Sequence, residues 1–106
     1  MNFVNLTPHE INIVNADGEH VMSIAPSGTV ARVAVRRVEV GDIDGIPLYK
    51  AIYGEPEGLP EPATDTIYVV SGLFRAAVPD RGDVWQPGEL LRNDAGQVVG
   101  CVGLQR

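Results

Sequence analysis

Turn-forming residues punctuate this chain from end to end and leave mostly short intervals for regular structure. Its twelve glycines and eight prolines are spread over 106 residues rather than clustered. Thr7-Pro8-His9, Asp17-Gly18, Pro26-Ser27-Gly28, Asp44-Gly45 and Asn93-Asp94-Ala95-Gly96 each read as a turn. The intervals between them are short and β-like, which predicts strands over residues 3–6, 10–15, 19–24, 29–40, 46–53, 66–70 and 97–104. Residues 84–91 extend in two pieces around Pro87-Gly88. Ser71 is placed to cap the one expected helix, residues 72–78, which Pro79 ends. The segment 54–62 holds three prolines and two glycines, a density that predicts a surface loop with neither helix nor strand. The sum is a mainly β (α+β) chain, a small antiparallel barrel or curled sheet with one short helix, forming a single domain over residues 1–106.

Two strands carry more detail. Residues 66–70 (Thr-Ile-Tyr-Val-Val) are nearly all apolar, as expected of a central strand buried on both faces. In residues 29–40 the apolar positions change parity between Val33/Val35 and Val38/Val40. A strict period of two cannot keep all four on one face, so a bulge or corner at Arg36-Arg37 is expected.

Hydrophobic residues make up 44% of the chain, enough for one core without disulfide or metal staples. A net charge of −6 disfavours non-specific nucleic-acid binding, which depends on neutralising phosphates. The charge is uneven: no acid occurs from residue 21 to 38, where Arg32, Arg36 and Arg37 lie. Acids gather in 39–44 and 55–65 without forming a long run, which weakens a DNA-mimic reading. Cys101 is the sole cysteine, so no internal disulfide or cysteine metal site is expected. No stretch has the length of a membrane helix and no signal-peptide pattern opens the chain; the expected location is the cytoplasm, away from membranes.

Candidate site residues each admit a functional and a structural role. His9 has the side chain for acid–base or ligand contact, with Thr7 beside it; both equally suit capping a turn. Arg32, Arg36 and Arg37 suit a phosphate or carboxylate, or a solvated strand face. Ser71 sits between strand and helix as in a nucleophile elbow, but Val69 occupies the first glycine position, so a helix cap or an anion cradle competes. Trp85 and Tyr49 are available for stacking or for the core. Cys101 lies in an apolar run that suppresses thiol reactivity. No spacing fits a metal site, no cofactor is implied, and no catalytic residue is assigned.

Several blocks carry a family resemblance: Asn5-Leu6-Thr7-Pro8-His9, residues 24–33 (Ile-Ala-Pro-Ser-Gly-Thr-Val-Ala-Arg-Val), residues 58–62, residues 67–71 and residues 93–100. In this order they resemble a family of small phage and prophage proteins. That resemblance implies a protein acting by binding, a host-defence antagonist that sequesters a small anionic, nucleotide-like immune signal as a homo-oligomer. On this reading Arg32, Arg36 or Arg37 pairs with phosphate, Thr7 and His9 hydrogen-bond, and Trp85 or Tyr49 stacks on a base. The alternative is a protein–protein interaction module that inhibits a host protein or serves in the virion, its contact surface formed by residues 54–62 and Trp85. A small hydrolase using His9 is a third reading, for which no nucleophile–base spacing is recognisable.

Overall fold

The computed structural model describes Met1–Arg106. Its strands are β1 (Asn2–Asn5), β2 (Ile11–Val14), β3 (His20–Ile24), β4 (Arg32–Ile43), β5 (Ile46–Glu57), β6 (Thr66–Val69), β7 (Val84–Arg92) and β8 (Val98–Gln105), with a single helix, α1 (Gly72–Ala77). Six strands form one sheet in the order β1-β6-β7-β8-β2-β3, and β4 and β5 form a separate hairpin. The six-stranded sheet curls until its two ends meet. Asn5 of β1 bridges Pro26 just beyond β3, and Ser27 N–H donates to the Asn5 carbonyl at 2.9 Å. The fold is therefore mainly β, a nearly closed barrel-like sheet with one short helix. Its pairing is mixed rather than purely antiparallel: β1–β6, β6–β7 and β2–β8 are parallel, β2–β3 and β7–β8 antiparallel.

The core has two parts, one on each face of β6. Val69 packs with Ile11, Ile13, Ile24 and Cys101 from strands around the curl. Tyr68 and Val70 pack with Leu6, Ala31, Phe74 and Val84 beneath α1. This double burial is why residues 66–70 read as a continuous apolar run. α1 carries the chain from β6 to its parallel neighbour β7. Ser71 caps it, its side chain accepting from Phe74 N–H at 3.3 Å, and Arg75 Nη1 closes its far end on the Val78 carbonyl at 3.1 Å.

Local turn chemistry sets two of the hairpins in the same way. In Asn15–Glu19 and again in Asn93–Gln97, the asparagine Oδ1 accepts the N–H groups two and four residues on, all at 3.0 Å. The third hairpin turns at Asp44 and Gly45, both at positive φ, the requirement of a two-residue turn joining twisted strands. Where β7 crosses β8, Gly88 leaves no room for a side chain, because a Cβ there would overlap the Val102 carbonyl.

Three expectations need correction. Residues 54–57 are strand, not loop: Pro56 pairs with Val33 and Glu57 with Arg32. Pro56 is tolerated because a two-stranded ribbon has an outer edge where no N–H is required. The irregularities of the hairpin lie between Val33 and Val35 and between Glu39 and Gly41, whereas Arg36 and Arg37 are regularly paired with Ile52 and Ala51. No repair of parity is needed there, because beyond Val33 neither face of β4 is buried against the barrel. Finally, β7 runs unbroken through Pro87-Gly88, its first residues pairing with β6 and its later ones with β8.

Asn5 ties the seam together. It is 1% exposed. Its Nδ2 donates to the carbonyls of His9 (2.7 Å) and Ile24 (3.0 Å), and its Oδ1 accepts from Thr7 N–H (2.9 Å) and Thr7 Oγ1 (2.7 Å). All four bonding positions of the amide are filled. Asn5→Ala strands these partners at a cost of about 3 kcal/mol or more, whereas Asn93→Ala, the same side chain in a solvated turn, costs about 1 kcal/mol or less. Urea unfolding monitored at Trp85 measures both.

Candidate functional site

The 7–12 segment leaves the Asn5 seam and forms one wall of an open cleft of about 570 Å³. Pro87 and Leu90 of β7 and residues 98–101 also line it, and Ser71 reaches it from the helix cap. Gly100 permits the close approach of β8 to β2, since a Cβ there would lie 2.9 Å from the Asn12 carbonyl. The β7–β8 wall is apolar, with Leu90, Val98 and Val99 half-exposed to the opening.

The polar groups of the cleft differ in their freedom. Thr7 is committed to Asn5, its Oγ1 also lying 3.0 Å from the His9 carbonyl. The Ser71 hydroxyl oxygen holds Phe74 N–H. Asn12 Oδ1 accepts from Ser23 Oγ at 2.7 Å, and that hydroxyl in turn lies 2.9 Å from His20 Nε2. The turn fixes the His9 backbone at both its carbonyl and its N–H, and leaves the imidazole solvent-exposed at the cleft. Glu10 supplies a carboxylate, and no lysine or arginine lines the cavity. Cys101 lies at the base, and burial pushes its thiol above the usual range, partly opposed by a hydrogen bond to the Gly88 backbone. No three His, Cys, Asp or Glu side chains group as metal ligands, and no helix is long and apolar enough to cross a membrane.

Of the residues singled out in the sequence, Thr7, His9 and Ser71 meet at this cleft, although Ser71 is more than sixty residues from the other two. Arg32, Arg36, Arg37 and Tyr49 do not join them. They belong to the β4–β5 hairpin, where Arg37 lies over the Tyr49 ring at 4.1 Å and Arg36 borders a shallow hollow with Ile52 and Tyr53. Trp85 is half-buried in β7 with the Arg106 guanidinium 5.6 Å from its ring, outside the cleft. The residues the sequence did not single out are Glu10, Asn12, Leu90, Val98 and Val99. Glu10 adjoins the Thr7-Pro8-His9 turn, and the other four look like ordinary strand residues.

The loop after β5 is held rather than free. Arg81 makes a two-pronged ion pair with Asp83 (Nε–Oδ1 and Nη2–Oδ2, both 2.9 Å) and donates from Nη2 to the Pro60 carbonyl at 3.0 Å. Tyr68 Oη donates to the Glu61 carbonyl at 3.0 Å. Comparison with protein-family models, characterised proteins and solved structures returns no match.

Two outcomes follow from these environments. The hydrogen bonds from Arg81 hold the Asp83 carboxyl below its ordinary range. A depressed carboxyl contributes stability above its unfolded value, near pH 4, that is lost as pH falls through the folded one. Asp83→Asn is therefore less stable than wild type at neutral pH, and the gap closes on acidification below about pH 4; thermal melts across pH read it. Cys101 reacts with a thiol reagent at pH 8 at least about tenfold more slowly in the folded protein than in urea.

Proposed function

We propose that this chain is a non-enzymatic binding protein that holds a small ligand in the cleft beside His9. The observation that carries this reading is the convergence of Thr7, His9 and Ser71 on one cavity with an apolar wall. Its volume lies within the range of small-molecule sites. The exposed imidazole supplies a hydrogen bond and Leu90, Val98 and Val99 supply contact area. Binding rather than catalysis is favoured by the occupied state of the polar groups. The Ser71 oxygen serves the helix, burial suppresses the Cys101 thiol, and His9 has no hydrogen-bonded nucleophile.

The ligand is one recognised by an uncharged, largely apolar part. A nucleotide fits this reading if its base enters the cleft and its phosphates remain in solvent, because the cavity offers Glu10 and no cation. The arginines first assigned to phosphate lie on a different element. A phage origin and a role against host defence accord with this reading as a sequestering protein. The second reading, a protein–protein module, is favoured by the exposed β4–β5 hairpin rather than by Trp85 and the anchored 58–62 loop.

A thermal-shift panel of nucleosides, their phosphates and uncharged heteroaromatic compounds tests the reading. A ligand at about a hundred times its dissociation constant adds about 2.7 kcal/mol, which is several degrees in a domain of this size. The shift disappears in His9→Ala and persists in the Arg36→Ala/Arg37→Ala double variant. A panel that gives no shift, or a shift indifferent to His9, removes the cleft reading in favour of the protein–protein module.

A further inference from the structure

The β4–β5 hairpin is an arm whose twelve-residue strands leave every residue exposed except Val33 and Pro56, which are half-buried. Each strand is about 40 Å long at 3.3 Å per residue. Only its base is anchored, through Val33 against the core beneath α1 and through the flanking Ala31 and Leu59. A two-stranded hairpin without a packed face is at best marginally stable in water.

Its two faces differ. Directly paired residues share a face, so one face carries Arg36 and Ile52, Val38 and Lys50, Leu48 opposite Gly41, and Ile43 and Ile46. The aliphatic side chains on that face are open to solvent, up to 59% for Ile43 and 63% for Ile46. The opposite face carries three charged residues, Arg37, which lies on Tyr49, Glu39 and Asp42, beside Val35, Ala51 and Tyr53.

The arm also dominates the dimensions of the molecule. The radius of gyration is 16.7 Å, against about 13 Å for a compact chain of this length. The accessible surface is 7080 Å², about 1,300 Å² more than the roughly 5,800 Å² of a compact monomer of this mass. A standard interface takes about 800 Å² from each partner, so the surplus on one chain exceeds its share of a stable dimer interface.

We propose that the aliphatic face of the β4–β5 arm pairs with the same face of a second copy of this chain, about a two-fold axis. The charge pattern is self-complementary in that arrangement. Arg36 and Lys50 lie along that face and Asp44 lies in the turn at its tip, whereas Asp42 belongs to the opposite face. Antiparallel overlap of two arms brings the acidic tip of each beside the cations of the other, as an isologous interface requires. Val38, Leu48 and Ile52 then form the buried centre, with Ile43 and Ile46 against the partner's arm nearer its base.

Sedimentation equilibrium over a concentration series of the full chain tests the pairing. Wild type sediments at twice its 11.4 kDa chain mass at micromolar concentrations. Ile46→Lys/Leu48→Lys raises the dissociation constant at least about a hundredfold, with the near-ultraviolet signal of Trp85 unchanged. Val21→Lys, a comparably exposed position on β3, leaves the dimer intact. Should the lysine pair perturb folding, charge reversal gives an independent result: Arg36→Glu/Lys50→Glu self-associates weakly but pairs with Asp44→Lys. A monomeric wild type, a dimer indifferent to the arm substitutions, or one broken equally by Val21→Lys overturns the proposal. None of these outcomes bears on His9-dependent ligand binding, so the cleft reading stands or falls separately.

Discussion

A single buried amide holds the ends of this sheet together. A curled sheet that fails to close leaves two edges whose N–H and C=O groups need partners, and here those edges belong to β1 and the end of β3. Asn5 supplies the missing ladder from both its backbone and its side chain. The backbone carbonyl takes Ser27 N–H, and the side chain reaches the Ile24 carbonyl and the 7–9 turn. A buried amide with all its positions satisfied gains geometric specificity, while one lost partner costs its full desolvation. Leu6, the next residue, is then directed into the core, with its N–H on Val69 and its carbonyl on Ala31. Closure, core entry and the origin of the arm thus meet within two residues.

The same constraint shapes the cleft. Because Asn5 and Thr7 fix the backbone of the turn, the His9 imidazole is presented from a rigid support rather than from a mobile loop. The apolar residues that line the cleft with it lie on the paired strands β7 and β8. A site of this construction needs little reorganisation on binding, which reduces the ordering cost that a flexible loop would add. The arm is the reverse case. Its backbone bonds are internal to the hairpin, its side chains lack a packed surface, and its persistence calls for contacts from outside the chain.

Local chemistry was legible in the sequence where it is self-contained. The Asp44-Gly45 turn, the Asp17-Gly18 hairpin, the Ser71 cap and the doubly buried strand at 66–70 all follow from nearest neighbours and simple periodicity. Asn5 was visible only as part of a turn-forming cluster, because its decisive partner, the Ile24 carbonyl, is nineteen residues away. The parallel pairings of β1 with β6 and of β2 with β8 carry no local signature at all. The bulge expected at Arg36-Arg37 presumed that one face of that strand is buried, and the hairpin has no such face. Segment 54–57 was judged on proline and glycine content, which misleads for an edge. Among candidate residues, Thr7, His9 and Ser71 share a cleft because the barrel closes, whereas the arginines follow the arm away from it.

Residue-resolved amide hydrogen exchange on the dilute full-length chain tests the central claim, that the seam is the stable heart of the fold and the arm is not held by its own chain. The account predicts that Leu6, Ser27, Ala31 and Val70 exchange only through global unfolding. Amides of β4 and β5 beyond Val35 and Tyr53 should exchange orders of magnitude faster at high dilution and become protected as concentration rises. Seam amides that open early, or arm amides protected as fully as the barrel regardless of concentration, would contradict it.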